Sequence, residues 1–301
     1  MISIILILLF VFSVLSVPVC HGVISGLYLY GMKIFPGLFI SFILTNIFVR
    51  ILQQKNINNP WILVITGLMT GFPNGAYICS WYNKNNPENR LGDMLAGIIN
   101  IPSPAFLISY VYINILEKCI SLPMFLALTY TPVILCSYMA ILLFRDKDNK
   151  KNNAPHIKND KKLIFHFFEE AVDSSINTAL KLGAYVIIFS VIVNIIMHFS
   201  QSNTAGLLIS YLFEISNGLA IIKNAGIPMN ITVLLTVLLD AFGGVCIIMQ
   251  TKSICSSYIS IKKYIYQKLV LCIVTLAMTY LLIYVCLLYT SDAADEARSV
   301  D

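Results

Sequence analysis

The chain has 301 residues, of which 58% are hydrophobic and 12% charged, and its mean hydropathy is +0.80. These values exclude a soluble domain of this length and indicate a polytopic membrane protein. The formal charge of +5 is no nucleic-acid footprint, because Lys and Arg collect in connecting segments as the positive-inside rule expects; the partner it implies is the lipid bilayer.

The first residues, Met1–Val17, are apolar but lack a positive n-region, and Pro18-Val19-Cys20-His21 is a poor cleavage site, so a retained first span over 1–20 is expected. Further apolar runs long enough to cross a bilayer lie near 34–49, 94–116, 119–144, 182–199, 205–222 and 264–285. Two segments, 61–82 and 227–250, are apolar but interrupted. In the first, Gly71-Phe72-Pro73-Asn74-Gly75 combines a missing backbone donor with low helix propensity. In the second the interruption is Leu239-Asp240-Ala241-Phe242-Gly243-Gly244.

A backbone group freed in hydrocarbon costs several kcal/mol unless something binds it. Broken helices at that depth are therefore candidate binding sites, and a pair of them in corresponding halves of a chain indicates a transporter. Cations on both flanks of 61–82, Arg50 and Lys55 before and Lys84 and Arg90 after, favour a re-entrant hairpin over a span.

Between the halves runs RDKDNKKNNAPHIKNDKK, a basic linker over 145–162 expected in the cytoplasm. The expected organisation is thus an N-terminal span (1–20), a first gate-like half (21–144), the linker (145–162), a second gate-like half (163–285) and a tail (286–301). The tail, CLLYTSDAADEARSVD, resembles the translation of a transposase-type sequencing adapter and is expected to be non-native. A weak internal repeat supports two halves: Lys33 stands thirteen residues before Asn46, as Lys181 does before Asn194. Both lysines sit near run ends, where snorkelling accounts for them. The fold class expected is an all-α polytopic membrane protein with about seven or eight transmembrane helices plus two interrupted, re-entrant hairpin-like segments in two weakly repeated halves.

Ionisable groups within apolar runs mark functional hypotheses. Glu214 and Asp240 are the two here, suited to carrying a proton, neutralising a cation, or bonding a neighbouring helix. Asn100 and Ser103 lie where Pro102 and Pro104 disturb a helix, so they serve either a ligand or the kink itself. Gln250 offers both a donor and an acceptor. Eight cysteines without C-x-x-C spacing and four histidines outside any motif indicate neither a metal nor a cofactor. The chain lacks G-x-S-x-G, H-E-x-x-H, a Walker loop and a Rossmann glycine set, so no catalytic residues and no enzyme activity are expected.

These residues resemble the YlbJ family of sporulation integral membrane proteins, related to the nucleoside-transporter gate-domain and spore maturation proteins. Gly71-Phe72-Pro73-Asn74-Gly75-Ala76 matches G-[FY]-P-x-G-A, Asn100 to Phe106 matches N-x-x-x-P-x-F, Phe213-Glu214 to Gly218 matches F-E-I-x-x-G, and Phe242-Gly243-Gly244 with Gln250 matches G-F-G-G…Q. Tyr77 stands where the family pattern has a lysine. The resemblance implies a protein of the outer forespore membrane that moves dipicolinate, a small planar dianion. Half-helix N-termini at Gly75 and Gly244 would then face its carboxylates. It also implies a substrate site of Gly71, Pro73, Asn74, Gly75, Asn100, Ser103, Asn217, Gly243, Gly244 and Gln250, with Glu214 and Asp240 coupling an ion or proton. A nucleoside or another small polar metabolite is the alternative substrate, and a non-transporting assembly protein the alternative role. Further partners left open are a second copy of the chain and other sporulation membrane proteins.

The charge count carries a test of topology. Single cysteines replacing Asn56 and Asn85 in a cysteine-free background should be labelled by an impermeant thiol reagent from the same face of the membrane. Labelling from opposite faces would make 61–82 a span.

Overall fold

A computed structural model describes residues 2–14, 16–55, 59–86, 90–143, 161–200, 204–255 and 258–298, and every regular element among them is helical. The chain begins with α1 (Ile2–Val14) and α2 (Ser16–Tyr28), which passes through a π-helical turn at Leu29–Ile34 into α3 (Phe35–Lys55). The path bends by 58° there, next to Pro36, whose ring cannot follow the preceding turn. Next, α4 (Pro60–Thr70) starts under an Asn59 cap, the side chain accepting from the Trp61 amide at 2.9 Å. It stops at Gly71, and α5 (Asn74–Asn85) leaves from Pro73 and packs back against it. Then α6 (Leu91–Ile99) ends at Asn100, α7 (Pro104–Phe106) restarts under a Ser103 cap and continues as a π-helix to Ile115, and α8 (Leu122–Leu143) completes the first half.

The regular elements described in the second half are likewise all helical. A long helix, α9 (Lys161–Ser200), precedes a packed pair of short helices, α10 (Thr204–Phe213) and α11 (Ile215–Asn224). A broken helix follows, α12 (Met229–Phe242) and α13 (Gly244–Cys255), and then α14 (Ile261–Arg298). One sequence expectation needs correction here. The segment 227–250, expected as the second interrupted hairpin, belongs to one apolar stretch, Met229–Cys255, whose halves do not fold back on each other; the pair that does pack together in this half is α10–α11, divided at Glu214.

Five described stretches are long and apolar enough to cross a membrane: Leu91–Ile115, Leu122–Leu143, Phe168–Ser200, Met229–Cys255 and Ile261–Leu282. Counting the bent pair Ser16–Ile34 and Phe39–Val49 as one span makes six, against the seven or eight expected. The difference has two sources. The run near 2–20 is divided between the thirteen-residue α1 and the start of the bent path that also takes in 34–49, and the run near 205–222 is cut into two ten-residue helices, each about 15 Å long and half the hydrocarbon thickness. The linker lies outside the described residues except for 161–162, which open α9. The α14 backbone continues across position 286 to Arg298.

The distribution of polarity suits a bilayer. On α14 the buried face carries Tyr264, Gln267, Lys268, Leu271, Thr275 and Thr279, whereas Leu269, Ile273, Leu276 and Leu281 are exposed. A helix with its polar groups inside and its aliphatic groups outside is the inverse of a soluble amphipathic helix. Helix contacts follow membrane rules as well. At Gly22 and Gly26, spaced G-x-x-x-G, an added Cβ would lie 2.5 Å from Val191 Cα and 2.8 Å from Ile187 Cα, so α2 and α9 touch nearly backbone to backbone. The two asparagines of the internal repeat each find a serine on a neighbouring helix, Asn46 donating to Ser175 Oγ and Asn194 to Ser25 Oγ.

Gly22→Ala should therefore force α2 and α9 apart and destabilise the fold by about 1–3 kcal/mol. Gly31→Ala, where an added Cβ meets nothing within 4 Å, is the control. Thermal melting of the detergent-solubilised protein should show a lower transition for the first variant and an unchanged one for the second.

Candidate functional site

Four helix interruptions interlock in two pairs. In the first half the break at Gly71–Pro73 lies against the break at 100–103: the Phe72 amide donates to Ile101 O at 2.8 Å, and a Cβ on Gly71 would sit 2.4 Å from the Ser103 nitrogen. Gly71 has φ +73°, a conformation that only glycine adopts without strain. Gly75 lies equally close to Ile99 O, at 2.8 Å from an added Cβ. In the second half Gly243 ends α12 in the left-handed region, its amide donating to Leu239 O at 2.7 Å. A Cβ on Gly244 would lie 3.2 Å from Phe213 O, at the break before α11.

Asn100 joins the pairs. It is fully buried, and its Oδ1 accepts from the Ala76 amide at 3.3 Å, capping the start of α5. Its Nδ2 donates to the Tyr264 hydroxyl at 2.8 Å and to Thr251 Oγ1 at 3.2 Å, reaching α14 and α13. Its carbonyl accepts from Lys268 Nζ. All of the Asn100 side-chain polar atoms thus have protein partners, as the satisfied-kink alternative requires. The amides of Gly75 and Tyr77 are likewise bonded, to Gly71 O and Pro73 O. The resemblance implies N–H groups at the α5 N-terminus facing a ligand, but the amides of Gly75, Ala76 and Tyr77 are bonded within the protein, because a break of only three residues keeps them within reach of the preceding carbonyls and of Asn100.

Glu214 breaks the α10–α11 pair without glycine or proline. Its backbone is extended, and its two carboxylate oxygens accept from the Ser216 and Asn217 amides at 3.1 and 2.7 Å, an N-cap made by an acid at a positive helix end. The Asn217 side chain turns away to Ser190 Oγ on α9. Asp240 differs. It is fully buried, and neither carboxylate oxygen has a hydrogen-bond partner.

A cavity of about 30 Å³, room for a water molecule or two, lies between the two interlocked pairs. Ser103, Glu214, Ser216 and Gln250 supply its polar lining, and Tyr30, Phe72 and Phe106 its aromatic rings, the last two 6.4 Å apart between centroids. Of the expected site residues, Ser103, Glu214 and Gln250 line it. Gly71, Pro73, Gly75, Gly243 and Gly244 shape the breaks around it, Asn100 lies behind it, and Asn74, Asn217 and Asp240 do not reach it. The Asn74 amide nitrogen is buried without a partner. Residues not singled out from sequence are Tyr30, Phe106, Ser216, Thr251, Tyr264 and Lys268. The signal for the last two was the spacing of Tyr264, Gln267 and Lys268 on one face of a helix.

Compared with known proteins, the chain matches no family model, no curated protein and no solved structure.

The Asn100 junction makes a thermodynamic prediction. Asn100→Leu strands a hydroxyl and an amide in the interior, each costing about 1–3 kcal/mol, and Tyr264→Phe removes one of the same bonds. Melting of both single variants and the double variant should give a coupling of at least about 0.5 kcal/mol, and strict additivity would mean that the two do not share a bond.

Proposed function

We propose that the chain is a membrane transporter for a small polar metabolite, with its substrate site at the cavity where the four helix interruptions meet. The observation that carries this reading is the convergence itself. Interrupting four helices in one apolar region sacrifices regular hydrogen bonding, and the two short pairs, α4–α5 and α10–α11, read as hairpins that enter the membrane without crossing it. Such a layout serves alternating access around a central site. The cavity as it stands is too small for a metabolite, as expected of a closed state, and separation of the two interlocked pairs would open it.

Dipicolinate, the substrate implied by the family resemblance, fits the cavity's chemistry in two respects. A planar aromatic ring can stack on Phe72 and Phe106, and carboxylates can reach Ser103, Ser216 and Gln250. Glu214 shares that space, and like charges are costly in a desolvated cavity, so the dianion binds with a proton on Glu214 and transport is proton-coupled. The corresponding location is the outer forespore membrane of a spore-forming bacterium.

Reconstituted into liposomes, the protein should take up labelled dipicolinate, and Gln250→Leu should weaken binding by one to two orders of magnitude, the value of a hydrogen bond of about 1.5–3 kcal/mol to a charged ligand. Glu214→Gln should exchange dipicolinate but fail to accumulate it under a proton gradient. Uptake of a nucleoside instead would reassign the substrate, and uptake of neither would leave the assembly role.

A further inference from the structure

Lys268 has no part in the cavity, yet it is the most deeply placed cation described. It lies about 10 Å into α14, two helical turns from Ile261, and is completely buried. Among the described residues no carboxylate lies within ion-pairing distance of its ammonium. Its partners are main-chain oxygens: Nζ donates to Asn100 O at 2.5 Å and to Ala241 O at 2.9 Å, with the Tyr264 ring centroid 5.8 Å away.

Both acceptors stand at helix ends. Asn100 follows the last residue of α6, and Ala241 is in the last turn of α12, where carbonyls have no intrahelical donor. The C-terminus of a helix carries roughly half a negative elementary charge. Two such ends therefore balance one ammonium, which explains how an unpaired lysine is tolerated in a low-dielectric interior where a lone charge would be prohibitive. Free carbonyls of interrupted helices are also the groups with which transporters bind coupling cations.

The geometry points to a tethered cation: the Lys268 ammonium fills a cation site built from Asn100 O and Ala241 O, and clamps the broken helix of the first half to that of the second. A protein with this arrangement needs no free sodium or potassium ion at this position. Emptying the site should convert it into a binding site for a small free cation. The inference concerns the clamp alone and stands whether or not dipicolinate is the substrate.

The test is thermal melting of the full chain in detergent, in methylammonium chloride and in choline chloride at equal concentration. Methylammonium reproduces the end of the lysine side chain, and choline is too bulky for the site. Lys268→Ala should melt below the unmodified protein in choline and recover by roughly 2–4 °C or more in methylammonium. The unmodified protein should melt alike in both salts. Lys268→Met, which fills the space without the charge, should melt low in both.

Three results would overturn the inference: a Met variant as stable as the unmodified protein, an Ala variant indifferent to methylammonium, or an equal methylammonium response in all three proteins. Failure to recover the Ala variant when methylammonium is present throughout extraction counts as the second.

Discussion

A helix interrupted among apolar side chains must find new partners for the backbone groups it releases, and the architecture of this protein follows from how it meets that demand. Each break is closed by a different device. Turn bonds and Asn100 Oδ1 satisfy the start of α5, Glu214 caps α11, Gly243 turns its own amide back to Leu239, and Lys268 collects two carbonyls that nothing else reaches. The first and fourth devices use side chains from other elements, Asn100 and Lys268, so these breaks are satisfied where they interlock. The central cavity is the space left between structures that are each locally complete.

α14 holds the two halves in register. Near its start the buried Asp93 of α6 accepts from the Ser260 amide and Lys263, and Gln267 bridges the Asp93 carbonyl and the Gly97 amide. At the adjoining positions, Tyr264 and Lys268 address the break that follows α6. A single helix thus reads the polar groups of α6 along two turns, which fixes its rotation more tightly than apolar packing could, since hydrocarbon contacts tolerate small slips and hydrogen bonds do not.

The sequence made three of the four breaks legible, because glycine and proline announce themselves: Gly71 and Pro73, Pro102 and Pro104, Gly243 and Gly244. Glu214 was legible as a buried acid but not as a break, since an N-cap made by glutamate looks like any polar residue in an apolar run. The hairpin expected at 227–250 lies instead within one apolar stretch, Met229–Cys255, while the packed short pair forms around Glu214. Lys268 was hidden for a different reason. It follows Lys262 and Lys263 closely enough to read as another interfacial cation, and only the helical face it shares with Tyr264 and Gln267 separates it from them. Asn100, Ser103 and Gln250 were identifiable as important from their surroundings, but the Asn100 partners Thr251, Tyr264 and Lys268 lie more than 150 residues away in sequence, where local pattern cannot show them.

α9 has forty residues, a length of about 60 Å, roughly twice the hydrocarbon core of a bilayer. Even its apolar portion, Phe168–Ser200, is about 50 Å long and exceeds that thickness, so the helix must lean steeply or project from the surface. α2 and α3 both lie along it, and they inherit its inclination. The three helices then form one oblique layer, which meets the interrupted helices through the contacts of α9 with α10 and α13.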